Sequence, residues 1–203
     1  DTLHVLVNDA GGFFTRREET ADGLELTFAL NHLSYFLVTN LLMDAIKSSA
    51  PARIINLTSG IHARERQMPF DDLQTMEFYK GFKAYGRSKL ANLLFTYELA
   101  RRLEDTGVTV NAYNPGFTAT GLGMQPGGFG PLMRWMVSKM AKNPQKAAEP
   151  LIWLASSDEV EGVSGNYFEH KEPVRSSAAS HDTSAARILW EISEKMTGHK
   201  TGV

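Results

Sequence analysis

Three apolar runs, each breaking into small or turn-forming residues, set the rhythm of this chain. Leu3-His4-Val5-Leu6-Val7 leads into Asn8-Asp9-Ala10-Gly11, and Arg53-Ile54-Ile55-Asn56-Leu57-Thr58 into Ser59-Gly60. Val108-Thr109-Val110-Asn111-Ala112-Tyr113 leads into Asn114-Pro115-Gly116 in the same way. Continuous apolar and β-branched runs bounded by Gly or Pro fit strands of a parallel sheet covered on both faces. Helical stretches over roughly residues 22–49 and 84–105 lie between them, and Pro144 to Ser156 has the apolar spacing of a helix packed on the sheet. Such strand–helix alternation predicts an α/β fold with parallel pairing and right-handed crossovers. Ligands of these sheets bind at the carboxyl ends of the strands. Asn8–Gly11, Ser59 and Pro115-Gly116 are thereby expected to open onto one crevice, with Tyr85 at the start of the next helix beside it.

The candidate chemistry sits at that crevice. Tyr85-Gly86-Arg87-Ser88-Lys89 places a phenol and an ammonium four residues apart, on one helix face. A cation in contact with a tyrosine favours the phenolate and lowers a pKa that is ordinarily about 10. That makes Tyr85 a candidate acid/base near neutral pH. Each element also has a plainer reading. Tyr85 and Lys89 can be an aromatic on a half-buried face beside a solvated lysine. Ser59 can simply end a strand, Asn31 can bond its own helix backbone, and Pro115-Gly116 can be turn punctuation. Asn56-Leu57-Thr58 matches a glycosylation acceptor but falls inside an expected buried strand.

Taken in order, Asn8-Asp9-Ala10-Gly11, Asn31 before His32, Ser59 after Asn56, Tyr85-x-x-x-Lys89 and Pro115-Gly116-x-x-x-Thr120 resemble the short-chain dehydrogenase/reductase family over essentially the whole chain. The long spacing between Ser59 and Tyr85, with Phe70-Asp71-Asp72-Leu73 inside it, and the run Tyr85 to Asn92 resemble its retinol-dehydrogenase-like branch. The resemblance implies a single Rossmann-like domain, a doubly wound three-layer α/β/α sandwich over 1–203, ending in a strand at Gly165-Asn166-Tyr167-Phe168. Residues 171–182 read as loop and 183–196 as a terminal helix.

By the same resemblance, Tyr85 would be the general acid/base and Lys89 would lower its pKa and bond the nicotinamide ribose. Ser59 would hold the substrate oxygen, and Asn31 would position a water relaying protons from Lys89. Asp9, Ala10 and Gly11 would pass the adenosine ribose. Pro115, Gly116, Phe117 and Thr118 would meet the carboxamide, and Thr120 the phosphates. The implied activity is NAD(P)-dependent interconversion of a hydroxyl and a carbonyl, with NADP preferred over NAD. Residues 117–145 would form a lid over the substrate. Its Met- and Gly-rich content, including Met124, Met133, Met136 and Met140, suits a bulky hydrophobic alcohol or carbonyl; the same side chains can instead pack as an amphipathic helix on the core. Alternative readings of the whole are a non-catalytic binding or scaffold protein, or an epimerase or dehydratase on the same fold. The 84–103 helix has an apolar face at Leu90, Leu93, Leu94, Tyr97 and Leu99, and by the resemblance a homodimer would form through this helix.

Two features depart from that pattern. Asp9 stands where the family has Asn, exchanging a donor-and-acceptor amide for an acceptor-only carboxylate. The Gly-rich phosphate turn after a first strand is missing, and the chain begins at what resembles the fourth strand. A βαβαβ half, roughly 80 residues, is thus expected elsewhere in a longer protein. Without it, Leu3–Val7 would have one unpaired edge.

Composition narrows the class further. The chain has 203 residues, 21 Lys and Arg against 23 Asp and Glu, and no Cys. One domain with a full core fits this length. The charge balance gives no footprint for nucleic acid, and zero Cys excludes a disulfide framework. The six His show no metal-ligand spacing, so no metal site is expected. No run reaches the ~20 apolar residues of a membrane span. Arg134, Lys139 and Lys142 are too few to argue for contact with a membrane surface, and a cytoplasmic location is expected.

Overall fold

The computed structural model describes residues 2–116 and 144–203. Five strands form one sheet in sequence order: β1 (Val5–Asn8), β2 (Ala52–Leu57), β3 (Val108–Asn114), β4 (Tyr167–Glu169) and β5 (Glu172–Pro173). The first four run parallel, and only the β4–β5 pair is antiparallel. Helical segments α1 (Leu26–Phe28), α2 (Ser34–Leu41) and α3 (Met43–Ser48) connect β1 to β2; α4 (Gly81–Arg102) connects β2 to β3. Before β4 comes α5 (Pro144–Ser156), and α6 (Thr183–Thr197) closes the chain.

The strands bury both faces, which is why their sequences read as continuous apolar runs. Ile54 and Val110 meet Phe36, Phe95, Leu99 and Trp190 of α2, α4 and α6. Ile55, Tyr113 and Phe168 meet Leu154 of α5 on the opposite face. Alternation along the strand thus sends neighbouring residues Ile54 and Ile55 into different layers, giving the expected α/β/α sandwich.

Several boundaries differ from the sequence reading, each for a local reason. The helix expected from residue 22 begins at Leu26, because Gly23 takes a left-handed turn (φ 74°). The Glu25 carboxylate then accepts from the N–H groups of Thr27 and Phe28 at 2.8 and 2.7 Å, capping the first turn. The helix expected from 84 begins earlier, at Gly81, whose missing side chain lets the backbone pass Phe14; a Cβ there would lie 2.3 Å from the Phe14 carbonyl oxygen. Strand β5 falls inside the expected 171–182 loop: two residues are too few to carry a periodic pattern.

Strand β1 is the first in the sheet order, and its Val5 and Val7 are 36% and 38% exposed. Leu90, Leu93, Leu94 and Leu99 of α4 are 0% exposed and Tyr97 is 7%, so these residues complete the chain's own core.

Candidate active site

Strand register brings three turns to one end of the sheet. Asn8 lies opposite Asn56, and Leu57 opposite Tyr113. Asp9–Gly11, Thr58–Gly60 and Asn114–Gly116 consequently leave the sheet side by side at its carboxyl edge. Helix α4 is tied beneath them. The Thr58 hydroxyl donates to the Lys89 carbonyl at 2.9 Å, while Lys89 Nζ and Asn92 Nδ2 both donate to the Leu57 carbonyl, at 3.2 and 3.0 Å.

Tyr85 and Lys89 share one face of α4, one turn apart, as their spacing predicts. Tyr85 is 8% exposed and Lys89 only 1%. The ammonium sits 5.6 Å from the centre of the Tyr85 ring and 5.7 Å from that of Tyr35, a cation held between two aromatic rings. Burial lowers the Lys89 pKa to about 8, against an opposing pull from Asp9. Tyr85 moves the other way. Burial raises it above its ordinary value and the Asp9 carboxylate adds to that, while a hydrogen bond with Ser59 favours the phenolate. The expected lowering of Tyr85 is therefore corrected: loss of water around the phenol is the largest influence and raises its pKa.

Ser59 has extended backbone (φ −159°, ψ 148°) and starts the 3₁₀ turn Gly60–Arg64, its hydroxyl accepting from Ile61 N–H at 3.5 Å. Asn31 lies fully buried in a π turn, Ala29–Leu33, between α1 and α2; such turns recur at functional sites. Its Oδ1 accepts from Gly12 N–H at 2.7 Å, and its Nδ2 donates to the Gly12 carbonyl and to Ser88 Oγ, both at 3.0 Å. Both amide protons are thus spent inside the chain. Asn31 thereby fixes the turn after β1 and the Ser88 side chain.

The turn at Pro115-Gly116 is built in the same manner. Gly116 takes φ 73°, and its N–H donates to Asn114 Oδ1 at 3.0 Å. Asn114 Nδ2 in turn donates to Glu169 at 2.8 Å, and Tyr167 donates to the same carboxylate oxygen at 2.6 Å. Phe117, Thr118, Thr120 and the expected 117–145 lid, except its last two residues, lie outside the described residues.

Asp9 and Ala10 are exposed at the mouth, yet the Asp9 charge reaches Tyr35, Tyr85, Lys89 and Tyr113 and raises each of them. Asp9→Asn removes that field, so the pKa values of Tyr85 and Lys89 fall together. The expected result is a pH–rate profile whose Tyr85 limb moves to lower pH. Added salt should move the parent the same way, because an exposed charge is screened. An unmoved limb in both experiments means that Asp9 does not set the site.

Three contributors escaped the sequence reading. Ser88 accepts from Asn31 and donates to the Tyr85 carbonyl at 2.8 Å, joining the two motifs. Tyr35, one helical turn beyond Asn31, flanks Lys89, and its buried hydroxyl has no hydrogen-bond partner among the described residues. The four-residue spacing from Asn31 was the available signal for it. His62 packs behind Ser59.

A cavity of about 940 Å³ opens at the opposite end of the sheet, among Arg53, Arg101, Glu104, Gly107, Glu161 and Gly165, and none of Asn31, Ser59, Tyr85 or Lys89 lines it. Convergence of polar groups, more than cavity size, makes the carboxyl edge the candidate site. Among the described residues no cluster of three His, Asp or Glu is placed to hold a metal ion.

Comparison with known proteins agrees with this geometry. The sequence model described as short chain dehydrogenase matches residues 1–127. Human retinol dehydrogenase 14 is 46% identical over 199 residues, covering 97% of this chain and 59% of the relative. Human retinol dehydrogenase 13 is 41% identical over 209 residues, covering 98% and 61%. The chain thus spans about three fifths of the length of these relatives. Among solved structures, an uncharacterised protein from Mycobacterium paratuberculosis superposes with a TM-score of 0.75 at 28% identity, over 100% of this chain and 69% of that one.

Proposed function

The chain belongs to the short-chain dehydrogenase family, and on that premise we propose that it is a nicotinamide-dependent oxidoreductase interconverting a hydroxyl and a carbonyl on a bulky hydrophobic substrate. One observation carries the reading: a buried phenol, Tyr85, whose ionisation the Ser59 side chain favours, lies with its ring centre 5.6 Å from the buried Lys89 ammonium, at the carboxyl edge of a parallel sheet. Burying a cation is costly unless something uses it, and among the described residues the Lys89 ammonium has one hydrogen bond, to the Leu57 carbonyl.

The residues present fit a nicotinamide nucleotide. Lys89 has three N–H donors, one of them directed to Leu57. A Cβ on Gly11 would come within 3.2 Å of Asn31 Oδ1 and 3.7 Å of Lys89 Nζ, so glycine keeps the approach to both open. Lys89, Asp9-Ala10-Gly11 and Pro115-Gly116 are the groups that would hold the nucleotide. When bound it supplies or accepts the hydride. The chain's own residues handle the proton: Ser59 holds the substrate oxygen, and Tyr85 gives up its phenolic proton there or takes one back. Lys89, beside that phenol, stabilises negative charge as it develops.

The substrate class rests on two supports. The relatives are named retinol dehydrogenases, and aromatic rings wall the approach to the phenol. Phe13 meets Tyr85 edge-on with ring centres 5.9 Å apart and leans on Phe82 at 4.8 Å. The resemblance to the retinol-dehydrogenase-like branch favours NADP over NAD. The test is nucleotide oxidation, followed by absorbance, with NADPH or NADH and a panel of long-chain and polyene aldehydes. Carbonyl-dependent consumption, faster with NADPH, is expected. Nucleotide binding without turnover on any carbonyl or alcohol would replace this reading with a non-catalytic one.

A further inference from the structure

We infer that His62 is a positioning residue for Ser59, clamping the Ser59 turn to the strap that joins β5 to α6; the inference rests on the oxidoreductase reading above. His62 is 3% exposed and lies three residues beyond Ser59, in the 3₁₀ turn. Its own N–H and its ring Nδ1 both reach the Ser59 carbonyl, at 3.1 and 2.7 Å. On the far side of the ring, Ser177 N–H points at Nε2 from 3.2 Å.

These partners fix the tautomer. A backbone N–H can only donate, so Nε2 must be the bare nitrogen and Nδ1 must carry the proton. The Nδ1–H then donates to the Ser59 carbonyl. One ring thus uses both nitrogens, one on the turn that carries the substrate-holding hydroxyl and one on a distant segment.

That segment is itself anchored. Ser180 Oγ donates to the Ser177 carbonyl at 2.7 Å, and Ser176 Oγ shares hydrogen bonds with Tyr97 of α4 at 2.7 Å and with His181 Nε2 at 3.0 Å. The His181 ring stacks on Tyr97 with centres 5.0 Å apart. Tyr167 meets the His62 ring edge-on at 5.4 Å, and the Glu169 carboxylate faces it from β4. The same Tyr167–Glu169 pair anchors the Asn114 turn. His62 is accordingly where the Ser59 turn and the Pro115-Gly116 turn share one rigid backing. Catalytic groups need such support, since small misplacements cost rate.

Three substitutions separate positioning from packing. His62→Asn keeps an N–H near the Nδ1 place; His62→Gln puts its amide near the Nε2 place and loses the donor to Ser59; His62→Phe fills the space and loses both. The expected result is that Gln and Phe lower kcat roughly tenfold, about the factor that 1.36 kcal/mol represents, with the KM for NADPH unchanged, and that Asn recovers most of the rate. A 15N spectrum of the parent imidazole should show the Nδ1-protonated tautomer, a readout independent of turnover. Equal losses in all three variants, or no loss in Gln, overturns the inference, as does the opposite tautomer. If Phe fails to fold, the Asn and Gln pair still decides. A parent without turnover overturns the oxidoreductase reading, and this inference with it, whatever the spectrum shows.

Discussion

Replacing Tyr85 by Phe should abolish nicotinamide-linked turnover while leaving the fold in place. General acid–base catalysis by one positioned side chain contributes roughly 10²- to 10⁴-fold, and a loss in kcat of that size is expected. The fold should tolerate the change because the ring does the packing: it is 8% exposed and meets Phe13 edge-on. Thermal melting of parent and variant should therefore nearly coincide, within the few degrees that ~1 kcal/mol produces in a chain of this size. Turnover that survives the substitution means the proton comes from elsewhere, and the mechanism proposed above fails. Turnover lost together with the fold would assign Tyr85 to packing, the plainer reading that its sequence motif always allowed.

The parts of the site that follow from periodicity were legible in the sequence. Strand ends at Asn8, Ser59 and Asn114 had to share one edge once the three runs were read as parallel strands, and Tyr85 and Lys89 had to share a helix face. The parts that depend on tertiary partners were not. Nothing in the spacing of Asn31 says that its amide is spent on Gly12 and Ser88, because those partners lie 19 and 57 residues away. His62 is adjacent to Ser59 in sequence, yet its meaning comes from Ser177, 115 residues further on. The direction of the Tyr85 shift is not legible in the motif for a related reason. The motif shows the neighbouring cation but not the depth of burial, and burial decided the direction.

Lys89→Met should produce a chain that is more stable and inactive. Lys89 is 1% exposed, and burial takes its pKa from 10.5 to about 8. At roughly 1.4 kcal/mol per pH unit, carrying the charge in the folded state costs about 3 kcal/mol, as an order of magnitude. The sign follows from proton linkage. Below pH 8 the lysine is charged both folded and unfolded, so the whole penalty is present. As pH rises from about 8 to 10.5 the folded chain sheds its proton first and the penalty fades; above 10.5 it is gone. Methionine fills a similar volume, has no charge to bury and packs well against aromatic rings, here those of Tyr35 and Tyr85. Melts without nucleotide should therefore put the variant several degrees above the parent at pH 7, with the gap closing toward pH 10.5. A lysine serving only the fold would give the reverse, since its hydrogen bond to Leu57 would be lost with no relief. A gain in stability with loss of turnover is how a residue kept for chemistry, at the expense of stability, reveals itself. A less stable variant at neutral pH would mean that the ammonium belongs to the architecture of the strand end, and the case for Lys89 as the partner of Tyr85 would fall with it.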